Sequence, residues 1–203
     1  VGAIENLAKD ESVYSARLMG DTGYFVTFAQ TDPLFSVDLS DPKNPEIIGK
    51  LKIPGFSEYL HFYGEDRLLG IGMSTDEESG VAEGVKITMF DISDRSDVKE
   101  ESTLVLDDLY GSHAAYDYKS VLADPEKNVI GLSGYSQNGE SYYLLTYNRT
   151  DRKFETILQE EVNGNTSQGI RGIYIEDTLY VISGNIIEAY DMNTGVKSGD
   201  IIL

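Results

Sequence analysis

The sequence predicts an all-β fold built from repeated four-stranded antiparallel blades, a β-propeller. Three observations carry this. Short apolar stretches of strand length dominate, and Gly, Asp, Asn and Pro clusters break them into hairpins. Tyr is unusually frequent, at 14 residues against 7 Phe, and Tyr together with β-branched residues favours strands. One unit also recurs: an apolar strand ends in Asp or Asn and runs into a tight polar turn. Its anchors are Asp38, Asp91, Asn148 and Asp191, spaced 53, 57 and 43 residues apart.

Each anchor is preceded by a strand, a polar turn and a second strand. These lie at 16–26 around Asp21-Thr22-Gly23, at 60–70 around Glu65-Asp66, at 119–131 around 124–128, and at 172–181 around Glu176-Asp177. One more strand follows each anchor, at 46–53, 98–106, 154–162 and 196–203. Four strands per repeat at such a period is the pattern of propeller blades, which bury both faces only by stacking on neighbours. The Asp or Asn can accept from backbone two residues on and so fix the turn into the fourth strand. The expected blades are 12–53, 57–106, 112–162 and 168–203, in a single partial propeller domain over 1–203. A β-sandwich is the alternative. The best helical stretch, 3–12, is short.

Composition excludes several functions. With no Cys there is no disulfide framework, Cys zinc site or thiol nucleophile, and 2 His rule out a three-His metal site. The 35 acidic against 16 basic residues give a net charge of −19, which argues against nucleic acid and anionic membranes as partners. No apolar run approaches about 18 residues, so no membrane insertion by this segment is expected. No basic start followed by an apolar stretch reads as a signal peptide.

A family resemblance adds to this. Tyr14-Ser15-Ala16-Arg17, Gly20-Asp21, Asp32-Pro33-Leu34-Phe35 and Asp38-Leu39-Ser40-Asp41-Pro42 run in a recognisable order. Ile53-Pro54-Gly55-Phe56-Ser57-Glu58-Tyr59-Leu60-His61 and Phe90-Asp91-Ile92-Ser93-Asp94 continue it. The stretch resembles secreted bacterial and archaeal proteins with a C-terminal β-propeller, distantly related to WD repeats. The likeness is dense over 13–94, thinner over 111–132 and weakest after 140. It implies an extracellular or cell-surface location and a chain that is a fragment of a larger propeller. It implies no activity. Blade faces left without neighbours would favour association, so a homodimer through the terminal blades is one expectation; an open arc and a four-bladed closure are the others.

Five features were candidates for chemistry. A channel lined by the first strands of the blades would present Arg17, His61, His113 and Arg171, a set suited to an anion; these side chains would equally satisfy strand backbone and nearby carboxylates. The acidic loop with Asp76, Glu77, Glu78 and Glu83 offers oxygen ligands for calcium, but in no EF-hand register, and reads first as an acidic insertion. Ala189-Tyr190-Asp191-Met192-Asn193-Thr194-Gly195 resembles the repeat of pyrroloquinoline-quinone dehydrogenases. It is a single copy in a chain without Trp, so no cofactor is expected. Residues 54–61 read as a blade-to-blade crossover in which Phe56 and Tyr59 pack between blades. Tyr135, Tyr142, Tyr143 and Tyr147 suggest sugar stacking, although strand alternation puts most of them in packing. The functional expectation is a non-catalytic extracellular module that binds a protein or polysaccharide at its channel mouth and loops. The alternative is an extracellular hydrolase or lyase acting on a polymer within the channel.

Overall fold

Alternating apolar residues and Asx turns fold the chain into antiparallel hairpins throughout. The computed structural model describes residues 2–5, 8, 11–28, 32–76, 78–163 and 169–203, without the side chains of residues 28, 32 and 53. It divides into two compact units, 1–105 and 106–203. Among the described residues no helix is long and apolar enough to cross a membrane.

In the first unit, β1 (Ser12–Met19), β2 (Thr22–Phe28), β3 (Asp32–Asp38) and β4 (Glu46–Ile53) form one sheet in sequence order. β5 (Phe56–Phe62), β6 (Arg67–Thr75), β7 (Ala82–Asp91) and β8 (Lys99–Leu106) form a second. β1 runs beside β5, so the first strands of the two blades are neighbours. Tyr24, Val26 and Leu34 of the first sheet meet Leu60, Leu68 and Phe90 of the second in one core cluster. Burying such side chains stabilises by about 1.5–3 kcal/mol each.

The second unit repeats this plan with one departure. β11 (Val129–Ser136), β12 (Gly139–Asn148) and β13 (Lys153–Glu161) form three strands of a sheet. Its first strand is split into β9 (Gly111–Ser112) and β10 (Leu122–Asp124), both paired to β11. β14 (Ile170–Ile175), β15 (Thr178–Ser183), β16 (Ile186–Asp191) and β17 (Lys197–Ile202) form the last sheet in sequence order. Tyr142, Leu144 and Leu158 pack against Ile170, Leu179, Val181 and Tyr190 across the two sheets. The Tyr142 hydroxyl ends where a Cβ on Gly131 or Gly172 would stand, 2.1 and 1.8 Å away, so a side chain at either position would force the buried Tyr142 to shift.

The four anchors do what the repeat pattern predicts. Asp38 accepts from the Ser40 amide at 2.8 Å, and Asp91 from the Ser93 amide at 2.9 Å. Asn148 accepts from Thr150 and Asp151, and Asp191 from Asn193 and Thr194, at 2.9–3.0 Å.

Three expectations change in detail. The strand expected from residue 119 begins only at Leu122, because two 3₁₀ turns, His113–Ala115 and Tyr118–Ser120, take its place. Ser112 accepts from the Ala114 amide and Asp117 from the Lys119 amide, and such local side-chain bonds compete with a β ladder. The described residues of the short helical stretch at 3–12 are not helical, and residue 12 already opens β1; residues 6, 7, 9 and 10 lie outside the described residues. Gln168, where the fourth blade was expected to start, also lies outside them, and its sheet begins at Ile170.

Candidate functional site

In the first unit Arg17 and His61 meet on one side chain. Arg17 leaves β1 and lays its guanidinium over the Tyr59 ring, 4.9 Å from the centroid, with one N–H donated to the Ala16 carbonyl at 2.8 Å. Tyr59 Oη lies 2.9 Å from His61 Nδ1, and the two rings are near parallel. Burial, reinforced by the Arg17 charge, holds the His61 imidazole below its ordinary pKa. Gly55, at φ +76°, turns the chain from β4 into β5. Phe56 then packs edge-on to Tyr14 at 5.5 Å, so residues 54–61 form the expected crossover between blades.

In the second unit His113 is buried. Its Nδ1 lies 2.9 Å from Ser133 Oγ and its Nε2 3.2 Å from Glu140 Oε2. The Glu140 contact is an ion-pair approach without hydrogen-bond alignment. Serine, imidazole and carboxylate in series resemble a nucleophile relay. Ser133, however, is fully buried on β11, so no substrate carbonyl reaches its oxygen. Tyr116 stands edge-on to His113 at 5.5 Å and Tyr135 lies tilted at 5.9 Å, so the imidazole pins the 3₁₀ insert to the β11–β12 hairpin. Arg171 is exposed on β14.

The calcium candidates are engaged otherwise. Asp76 Oδ1 accepts from the Ser79 amide and hydroxyl and from the Glu78 amide, closing its own turn, and Glu83 accepts from Ser74 Oγ at 3.0 Å. Glu78 is exposed, and Glu77 lies outside the described residues. Among the described residues no three His, Asp or Glu side chains are grouped to hold a metal ion.

A feature that candidate-by-candidate reading of the sequence missed is a polar cleft of about 630 Å³ in the second unit. Asp107, Asp108 and Tyr110 form one wall, Ser136, Gln137, Asn138 and Ser141 a second, and Gln159, Glu160 and Glu161 a third. Asp108 Oδ2 is held by the Tyr143 hydroxyl at 2.6 Å and by Gln159 Nε2 at 3.2 Å, so this carboxylate is fixed before any ligand arrives. Burial and the Asp108 bond push the Tyr143 phenol well above its ordinary pKa, which keeps it a donor. Tyr110 (59% exposed) lines the cleft and Tyr135 (39%) directly precedes its Ser136, while Tyr116 (70%) and Tyr118 (67%) face solvent at the two 3₁₀ turns. By contrast Tyr24, Tyr63, Tyr142, Tyr143, Tyr147 and Tyr190 are almost fully enclosed. The signal in the sequence was the tyrosine spacing over 110–118, where no strand alternation can bury the rings.

A family model described as a beta propeller domain matches residues 1–195. An uncharacterized protein of Archaeoglobus fulgidus is 40% identical over the whole chain, which covers 30% of that protein. An uncharacterized protein of Methanocaldococcus jannaschii is 35% identical over 95% of the chain and 28% of its own length. The chain therefore spans about 30% of the length of these relatives. Among solved structures, the periplasmic gluconolactonase of Pseudomonas aeruginosa superposes with a TM-score of 0.64 at 9% identity, over 94% of this chain and 53% of that one. This last likeness concerns the fold alone.

Proposed function

Because the chain belongs to the beta propeller domain family, we propose that it acts as a non-catalytic binding module and that its ligand is a polysaccharide. The observation that carries this is the polar cleft with Asp108 held in place and the exposed Tyr110 in its lining. Sugars present apolar ring faces and rims of hydroxyls. Exposed phenol rings match the faces, and carboxylates and amides match the rims. A few placed polar groups beside aromatic surface is the usual composition of a small-ligand site. The acidic walls of Asp107, Asp108, Glu160 and Glu161 favour a neutral sugar in this cleft over an anionic one. The extracellular or cell-surface location and the distant kinship to WD repeats belong to the same reading and rest on the family resemblance. Association through the terminal blades is compatible with the exposed Ile173, Ile175, Ile201 and Ile202 of the last sheet.

A second reading, a hydrolase or lyase acting on a polymer, draws on the Ser133–His113–Glu140 series and on the Pseudomonas structure being named a gluconolactonase. The burial of Ser133 weighs against it. Calorimetric titration with neutral oligosaccharides separates the two. The binding reading expects saturable uptake without product, weakened about 2–12-fold by Tyr110→Ala, the worth of an aromatic contact. Tyr14→Ala, in the first unit, should leave uptake unchanged. Product formation lost with His113→Gln would overturn the module in favour of the enzyme.

A further inference from the structure

We propose that Arg17 and His61, set on Tyr59 in the first unit, form a carboxylate-binding site whose ligand is an acidic sugar. Among the described residues Arg17 has no carboxylate counter-ion. The sequence carries 35 acidic residues, and several cations pair with them. Arg67 holds Glu101 through two bonds of 2.7 and 3.1 Å, Lys127 holds Asp177 at 3.0 Å, and Lys197 holds Glu188 at 2.6 Å. Arg17 is half-buried, and among the described residues it has no carboxylate partner. A partly desolvated guanidinium without a carboxylate partner attracts an anion locally, against the long-range repulsion of the acidic chain, and its planar fork of N–H groups matches a carboxylate in bidentate fashion.

The surroundings prepare that fork. Tyr59, 8% exposed, supports one guanidinium face, and the Ala16 carbonyl fixes one N–H, so little side-chain freedom is left to lose on binding. When the Tyr59 hydroxyl donates to Nδ1, the ring proton of a neutral His61 resides on Nε2, a nitrogen with no hydrogen bond among the described residues. Arg17 is the charge that His61 senses. The site therefore offers a cation and a neutral donor on adjacent strands. The acidic-sugar identity rests on the polysaccharide reading above; the carboxylate chemistry does not.

The chain's two histidines supply the test, because His113 is a built-in reference in the second unit. The imidazole resonances are followed by NMR at constant pH while the chain is titrated separately with oligogalacturonate, a neutral galactose oligomer, acetate and an acidic peptide. Oligogalacturonate is expected to move the His61 signal and leave that of His113. Its affinity should fall about tenfold or more in Arg17→Gln and decline with added salt, while Arg149→Gln, on an exposed turn of the second unit, leaves it unchanged. A still His61 signal, or an unchanged affinity in a folded Arg17→Gln, overturns the site. Acetate binding as tightly, or the acidic peptide more tightly, overturns the acidic-sugar identity. The neutral oligomer is expected to bind without moving His61. Its failure alone would remove the cleft proposed in the second unit and leave the Arg17 site standing.

Discussion

The second and third blades are built from the same strand order and differ at one edge. In the second, β5 is continuous and pairs along β6 with a single bulge, and β6 and β7 are buried on both faces almost from end to end. In the third, the middle strands β11 and β12 are equally buried, yet the first strand is reduced to β9 and β10 with two 3₁₀ turns between them. The difference shows where this repeat can be altered. A middle strand has two ladder partners and two packed faces, so irregularity there would orphan backbone groups and open cavities. The first strand is an edge with one ladder partner, and an excursion from it loses few bonds. Tyr110, Tyr116 and Tyr118 are exposed along that interrupted edge, and His113, the one buried histidine, sits there too.

The largest loss is expected in the middle strand of the second blade. Phe90→Ala, on β7 with its ring fully enclosed among Leu60, Leu68 and Tyr24, should cost about 3–5 kcal/mol in urea unfolding. A loss below about 1 kcal/mol would mean that middle strands do not carry the stability. The interrupted edge should be cheaper to damage and more local in response. His113→Leu removes the partner of Ser133 Oγ and of Glu140 and should cost about 1–3 kcal/mol. Its signature is amide hydrogen exchange, accelerated over 113–121 and unchanged over 56–75. Uniform acceleration across the chain would show that the insert is part of the global core.

The sequence made the middle of each blade legible and left its first edge obscure, for physical reasons. Two-sided burial requires continuous apolar runs such as Leu68 to Met73, and these stand out without any alignment. The Asx anchors are equally visible, because an Asp or Asn followed by a small polar residue has a local mechanism. At 113–121 the deciding forces are side-chain bonds to amides two residues away, from Ser112 and Asp117, and residues of those types are common throughout the sequence. Of the four residues read as channel-lining, the pairing of Arg17 with His61 depends on Tyr59, which sequence reading had assigned to packing. The partner of His113 was beyond reach, because Glu140 follows it by 27 residues on another hairpin.

A smaller effect of opposite sign sharpens the account of the middle strands. The Tyr142 hydroxyl is buried without a hydrogen-bond partner and fills the gap left by Gly131 and Gly172. Burial pushes its phenol far above the ordinary range, so it stays neutral. Tyr142→Phe relieves an unmet donor at the expense of a little packing, and should stabilise by about 1 kcal/mol. A loss of that size would place a hydrogen-bonding water beside the hydroxyl.

The smallest effect distinguishes the blades by their anchors. The anchors Asp38 and Asp191 accept amide and hydroxyl bonds from Ser40 and Thr194, and these bonds hold each carboxyl below its ordinary pKa. A folded pKa below the unfolded value of about 3.9 means that the stabilisation is complete above that value and is lost as pH falls through the folded pKa. The third blade is exempt at its anchor, since Asn148 accepts the same bonds without titrating. Neutralising a chain of net charge −19 also relieves self-repulsion as pH falls, so the absolute melting temperature mixes two opposing trends. The comparison that isolates the turns is therefore between variants. Asp38→Asn and Asp191→Asn combined retain the accepting Oδ1 of each turn, and should lose less melting temperature between pH 5 and pH 2 than the parent. Parallel curves would mean that charge adds nothing to these turns and that geometry alone selects Asp or Asn at the anchor.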